Sequence, residues 1–342
     1  MIENLALKHL GHHPGTYNIL HPIDDVNLSQ STNDVYPTAA RLATLYVDTA
    51  LVGELRKLVT AFQLKATEFQ SVGKLGRTQL QDAVPMTLGE EFLAFAATLE
   101  EDVKKLPEIS RNFREINLGG TAIGTGLNAP PGYGERAVRN LSDLTKIEFS
   151  RSQNLIEATW DMGAFVLYSG MLKRTASKLS KIANDLRLLS SGPKGGLGAI
   201  RLPPRQPGSS IMPSKVNPVI PEVLDQVCFH VIENDITITV AAEAGQLQLN
   251  AMMPVIVLKT FESANYMAKV IKAFTEHCVS GIQADIEACA RPFGSSIAQV
   301  TSLVPSVGYQ STAKVAKLLD QGVPLERALA QVEAGMTSTV QS

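Results

Sequence analysis

Over residues 159–190 the larger apolar residues Met162, Phe165, Tyr168, Leu172, Ala176, Leu179, Ile182, Leu186 and Leu189 recur at spacings of three and four, the period of one face of an α-helix. One helix over that stretch would run roughly 48 Å at 1.5 Å per residue, far beyond the average globular helix of about 11 residues. Similar patterns cover 33–70, 88–115, 217–245 and 251–289. Five such segments with few strand signals predict a mostly α fold, a long-helix bundle. Stripes of this length would leave a lone chain with large exposed apolar faces, so burial against other copies of itself is expected.

Around this frame, residues 1–32 precede the bundle, 33–290 form its central domain, and 291–342 change to shorter helical patterns at 296–320 and 324–333. That last stretch reads as a small C-terminal helical module whose final residues, 335–342, fray. A short helix-like run covers 2–10.

The charge balance narrows the partners. Thirty-one basic and thirty-three acidic side chains give a net charge of −2, with a single Trp and no polybasic run, which argues against nucleic acid and anionic membrane surfaces. No stretch of eighteen apolar residues occurs, so no membrane partner is expected. Cys228, Cys278 and Cys289 are odd in number and show no metal-ligand or redox spacing, which fits a reducing cytoplasm. His9, His12 and His13 lack a carboxylate or Cys at ligand spacing, so no metal is expected. Gly124 to Ala129 matches a dinucleotide fingerprint only formally, because Pro130 and Pro131 stand where a helix should propagate. His230 and Cys228, inside a helical pattern, read as core or interface residues.

The chemistry-bearing segment is 208–222, Gly-Ser-Ser-Ile-Met-Pro-Ser-Lys-Val-Asn-Pro-Val-Ile-Pro-Glu. Gly208 and two Ser allow movement, Pro213 and Pro218 restrain the backbone after them, and Lys215 and Asn217 supply a cation and an amide able to hold a carboxylate. Ser31-Thr32-Asn33-Asp34 reads as a helix N-terminus, where free N–H groups can also meet an anion. Thr78 and Gln79 read as a loop ahead of a helix that begins near Thr87.

The 208–222 segment resembles the signature loop of the fumarase/aspartase superfamily. Three more segments resemble that superfamily in its expected order: Asn27-Leu-Ser-Gln-Ser-Thr-Asn-Asp34, Gly76-Arg-Thr-Gln-Leu-Gln-Asp-Ala83 and Leu118-Gly-Gly-Thr-Ala-Ile-Gly-Thr-Gly-Leu-Asn128. The stretch 227–250, with Ala242-Glu-Ala-Gly-Gln-Leu-Gln-Leu-Asn250, is more similar to its aspartases than to its fumarases. His21-Pro22-Ile23-Asp24 resembles a secondary carboxylate site of fumarases, with Ile23 in place of an amide-bearing residue.

The resemblance implies reversible anti elimination of ammonia from L-aspartate to give fumarate, with no cofactor. It implies Ser209 as general base, Ser210 and Lys215 beside it as catalytic donors, and Ser31, Thr32, Asn33, Thr78, Gln79, Asn217 and Glu222 as substrate-binding residues. Gln79, where many fumarases carry His, leans toward ammonia release. The resemblance further implies a homotetramer whose shared sites draw Thr32, Thr78 and Ser209 from different subunits. Family members also carry an N-terminal domain with a Gly-Thr-Ser loop ahead of the position of Met1, so residues 1–32 are expected to be its remnant and the C-terminal module to be shortened after Glu333. Three readings stay open: an ammonia-lyase for aspartate, a fumarate hydratase, and a truncated, catalytically impaired scaffold.

Overall fold

The computed structural model describes residues 1–209, 211, 212, 215–295, 300 and 303–339. Helix α1 covers Ile2–His9 and α2 covers Thr32–Glu68; at 37 residues α2 is roughly 55 Å long. A hairpin comes next, β1 (Gly73–Thr78) with β2 (Gln81–Thr87). Then come α3 (Leu88–Ser110), α4 (Tyr133–Thr145), α5 (Leu155–Trp160), α6 (Gly163–Leu189), α7 (Val219–Glu243), α8 (Met253–His277) and α9 (Ile286–Ser295). The molecule is mostly helical, as the apolar periodicity predicts.

Local chemistry sets where these helices begin. At α3, Thr87 Oγ1 accepts the Glu90 amide at 3.1 Å and Glu90 Oε2 accepts the Thr87 amide at 2.8 Å, a reciprocal capping box. The stripe predicted as one helix over 159–190 is divided: α5 ends at Trp160 and α6 starts at Gly163, whose amide donates to Asp161 Oδ2 at 3.0 Å. A carboxylate two residues ahead of a free amide favours a new helix start over continuation.

The segment predicted as one helix over 251–289 also breaks. α8 ends at His277, Val279–Gly281 forms a 3-10 turn, and Gln283–Ala284 pairs antiparallel with Ile200–Arg201 before α9 begins. Gly281 permits this passage, because a Cβ there would lie 2.6 Å from Pro203 Cγ. The loop expected around Thr78 is a hairpin instead. Its two-residue turn is Gln79-Leu80, with φ of 52° and 62°.

Two compact units divide the chain. The first comprises Met1–Arg56, Glu100–Ser180 and Leu224–Ile271. In it Phe113 packs on Phe165 and Tyr168 with ring centroids 4.9 Å and 5.4 Å apart, and the buried Tyr168 hydroxyl donates to Asp48 Oδ1 at 3.1 Å. Burial and the neighbouring Asp48 hold the Tyr168 hydroxyl well above the ordinary phenol range. Along α7 the side chains of Phe229, Ile236 and Val240, 57%, 63% and 60% exposed, share one face at spacings of seven and four.

The second unit comprises Lys57–Leu99, Lys181–Val223 and Lys272–Ser342. Its core is aromatic: Phe62 lies edge-on to Phe92, Phe95 and Phe274 with centroids 5.6 to 6.3 Å apart. Toward its C-terminal end Val300, Val315 and Ala328 form a separate small cluster with Leu318 and Leu329, carried by helices Tyr309–Asp320 and Leu325–Thr339. The last described helix runs as far as Thr339, into the stretch expected to fray from residue 335. Residues 340–342 lie outside the described residues.

Candidate active site

The 208–222 segment closes on itself at its neck. The Gly208 amide donates to the Lys215 carbonyl at 3.0 Å, Asn217 Nδ2 donates to the Gly208 carbonyl at 3.0 Å, and the Lys215 amide donates to the Met212 carbonyl at 3.3 Å. Only a glycine fits at 208, where a Cβ would fall 2.0 Å from the Lys215 carbonyl oxygen. Within the loop, Ser209 Oγ accepts the amides of Ile211 and Met212, each at 3.2 Å. Two N–H dipoles thus converge on one hydroxyl oxygen, the arrangement that lowers the cost of negative charge there. Ser210, Pro213 and Ser214 lie outside the described residues.

Lys215, Asn217 and Glu222 come together on a cavity of about 650 Å³ in the second unit. Arg187, Arg201 and Asp285 line it as well; sequence reasoning missed these three, which carry no local pattern. Arg201 Nη2 pairs with Asp285 Oδ2 at 2.6 Å. The backbone amide of Ala288, and then Arg201, hold the Asp285 carboxyl below the usual carboxylate range. Ser209 is half-buried on the loop and is not part of this cavity's lining among the described residues.

Thr78 and Gln79 stand exposed at the tip of the β1–β2 hairpin, also in the second unit. Thr78 pairs with Gln81, so Gln79 and Leu80 make the whole connection. Both adopt the left-handed region, which costs a non-glycine residue roughly 1–2 kcal/mol. Strain of this kind persists where surroundings over-determine it, and it concentrates at functional sites.

Ser31, Thr32 and Asn33 lie in the first unit, at the start of α2. Ser31 Oγ accepts the Asn33 amide at 3.2 Å, and Asp34 Oδ1 accepts the Ser31 amide at 2.9 Å. The predicted N-terminus is therefore a capping box closed by Asp34. Thr32 is exposed. Asn33 Nδ2 donates to the Ala122 carbonyl at 2.8 Å, which leaves its Oδ1 as an acceptor for a ligand. Sequence reasoning placed Asp34 in the helix start but gave its carboxylate no partner outside it; Asn117, which donates to the Asn33 carbonyl at 2.9 Å, had no sequence signal.

The segment His21-Pro22-Ile23-Asp24 opens a single π-helical turn, Pro22–Val26. His21 Nδ1 is spent accepting the amides of Ile23 and Asp24 at 3.4 and 3.1 Å, and Ile23 is exposed. Among the described residues no group of three His, Cys, Asp or Glu side chains is arranged to hold a metal ion. No described helix is long and apolar enough to cross a membrane.

Residues 1–233 match the family model described as lyase. An aspartate ammonia-lyase from Pseudomonas aeruginosa is 56% identical over 318 residues, which cover 93% of this chain and 67% of that protein; the chain thus spans about two thirds of this curated relative. The crystal structure of a fumarate lyase:delta crystallin from Brucella melitensis, bound to cobalt, superposes with a TM-score of 0.93 at 56% identity, covering 96% of this chain and 72% of that one. A class II fumarase from Schistosoma mansoni superposes with a TM-score of 0.88 at 34% identity, covering 92% and 69%. With its fold and its loop segments matched across most of its length, the chain belongs to the lyase family, within the fumarase/aspartase superfamily.

Proposed function

We propose that the protein is an aspartate ammonia-lyase, which eliminates ammonia from L-aspartate to give fumarate. The carrying observation is at Ser209, whose Oγ receives the amides of Ile211 and Met212 on the loop that also presents Lys215. A serine hydroxyl is a very weak acid, and it acts as a base only where its alkoxide is stabilised. In the reaction the Ser209 alkoxide takes a proton from the carbon next to the side-chain carboxylate. The electron pair left behind passes into that carboxylate as an enediolate, which Lys215 and loop amides stabilise. Its collapse forms the carbon–carbon double bond and expels the amine, which leaves with its bonding pair.

Lys215 and Asn217 grip one substrate carboxylate, Ser210 donates to it, and Glu222 orients these neighbours. Ser31, Thr32 and Asn33 meet the substrate at a helix N-terminus, and the free Oδ1 of Asn33 suits an ammonium group. Thr78 and Gln79 complete the set; Gln79 brings no titratable group. The similarity to an aspartate ammonia-lyase at 56% identity supports this choice of leaving group.

The same reading makes the protein a cytoplasmic homotetramer with active sites shared between subunits. The apolar face of Phe229, Ile236 and Val240 on α7 supports assembly, because a face of that kind is stabilised by covering it. Three free, buried cysteines suit a reducing compartment.

Fumarate formation from L-aspartate and from L-malate, measured separately on the purified protein, tests the assignment. Turnover of aspartate with malate inert is the expected result. Turnover of malate alone would make it a fumarate hydratase, and silence on both with an intact assembly would leave a scaffold.

A further inference from the structure

Asp34 is the most constrained group at the start of α2. Its carboxylate is fully buried and accepts three backbone amides, from Ser31 at 2.9 Å, Gly119 at 3.0 Å and Thr121 at 3.1 Å. A buried carboxylate is tolerated only when its oxygens are filled in this way. The first bond lies within the helix start. The other two reach a loop more than eighty residues later in the chain.

Two side-chain amides join the same segments. Asn33 Nδ2 donates to the Ala122 carbonyl, and Asn117 Nδ2 donates to the Asn33 carbonyl at 2.9 Å. The second bond has a cause in the sequence: Pro37 stands inside α2 and has no N–H, so the carbonyl of Asn33 four residues earlier loses its intrahelical partner. Asn117, 1% exposed, takes that place and is itself steadied by Thr159 Oγ1 at 3.2 Å. Thr121 is held at a φ of 56°, an outlier for a β-branched residue. Asn117 Oδ1 and Thr121 Oγ1 are buried without a hydrogen-bond partner among the described residues. Strained and half-satisfied groups of this kind mark sites built for something besides stability.

We infer that Asp34 and Asn117 are positioning residues, a latch that holds Ser31, Thr32 and Asn33 in one fixed geometry against the 117–122 loop. The inference rests on the proposed function for the identity of the substrate, but not for the latch itself. The latch works by pre-organisation: the helix start meets the substrate with its donors already aimed, so little ordering remains at binding.

The test uses Asp34→Asn and the milder Asn117→Ala in the intact protein, with steady-state kinetics on L-aspartate and hydrogen exchange read by peptide. Asp34→Asn keeps the shape but turns an amide N–H toward backbone N–H groups. It is expected to raise KM at least tenfold with kcat changed less than threefold, because the helix start binds ground state and transition state alike. Exchange should rise at 29–36 and 117–122 and nowhere else, and Asn117→Ala should move both readouts in the same direction by smaller amounts. A KM within twofold of the parent for both variants would overturn the inference. So would a collapse of kcat with protection lost throughout, the mark of a merely structural role. If the parent protein makes no fumarate from L-aspartate, the functional reading has failed and exchange alone decides the latch: local loss of protection upholds it, and unchanged protection refutes it.

Discussion

The Gly208 amide donates to the Lys215 carbonyl oxygen at 3.0 Å, and a Cβ on Gly208 would sit 2.0 Å from that same oxygen. The neck of the 208–222 loop therefore exists only with glycine at this position. Gly208→Ala forces the neck open and moves Lys215 away from the Ser209 end of the loop. A fall in kcat/KM of at least about 100-fold is expected, the scale of losing one pre-organised donor. Thermal unfolding should shift by only a few degrees, since Ile211, Met212 and Val216 on this loop are exposed and bury little apolar surface.

Leu80 occupies the second turn position of the β1–β2 hairpin at a φ of 62° and is 69% exposed. Removing its side chain therefore sacrifices little burial and relieves left-handed strain. Leu80→Gly should stabilise the protein by about 0.5–1 kcal/mol, the steric relief of about 1–2 kcal/mol less the entropy that glycine adds to the unfolded chain. The denaturant midpoint measures it, and a lower midpoint would contradict it.

What the sequence makes legible is local. The stripe from Met162 to Leu189 is buried from end to end as its spacing requires, and the Ser31 to Asp34 helix start is readable from four residues. The hairpin is not readable, because its turn is Gln79-Leu80 where Asn-Gly would announce it. The break at Asp161 is hidden because the apolar stripe starts only at Met162 and gives no boundary before it, while a carboxylate bond from Asp161 to the Gly163 amide marks the start of the second helix. The tie between Asp34 and Gly119 spans 85 residues, and no window of sequence contains both partners. The cavity around Lys215 likewise draws Asp285 from another part of the chain.

Cys228 and Cys278 are buried, and burial pushes both thiols up to about 12; Asp225 adds to the effect at Cys228. In the unfolded chain a thiol ionises near 8.5. The unfolded state therefore loses protons that the folded state keeps, so this stability is fully present below about pH 8.5 and is lost as pH climbs toward 12. The slope is about 1.4 kcal/mol per pH unit for each thiol. Denaturant titrations at pH 8 and pH 10 should show the loss, and Cys278→Ala should show a smaller one. Equal slopes in parent and variant would contradict it.

Ile236 is 63% exposed in the middle of the apolar face on α7, between Phe229 and Val240. Ile236→Lys places a charge where a partner chain should bury the face, and a desolvated, unpaired charge costs several kcal/mol. Under the proposed assembly, sedimentation should show dissociation with helix content retained, and fumarate formation should fall with it because the proposal places residues of different subunits in one site. An unchanged assembly would remove this face from the interface.

The most direct test of the elimination chemistry is the rate of fumarate formation from L-aspartate by Ser209→Ala beside the parent protein. With the proposed base removed and both loop amides left in place, kcat should fall by at least about 1,000-fold, at the upper part of the range for losing a positioned base, while KM changes little. A variant that keeps more than a tenth of the parent rate would show that another group takes the proton and would overturn the mechanism.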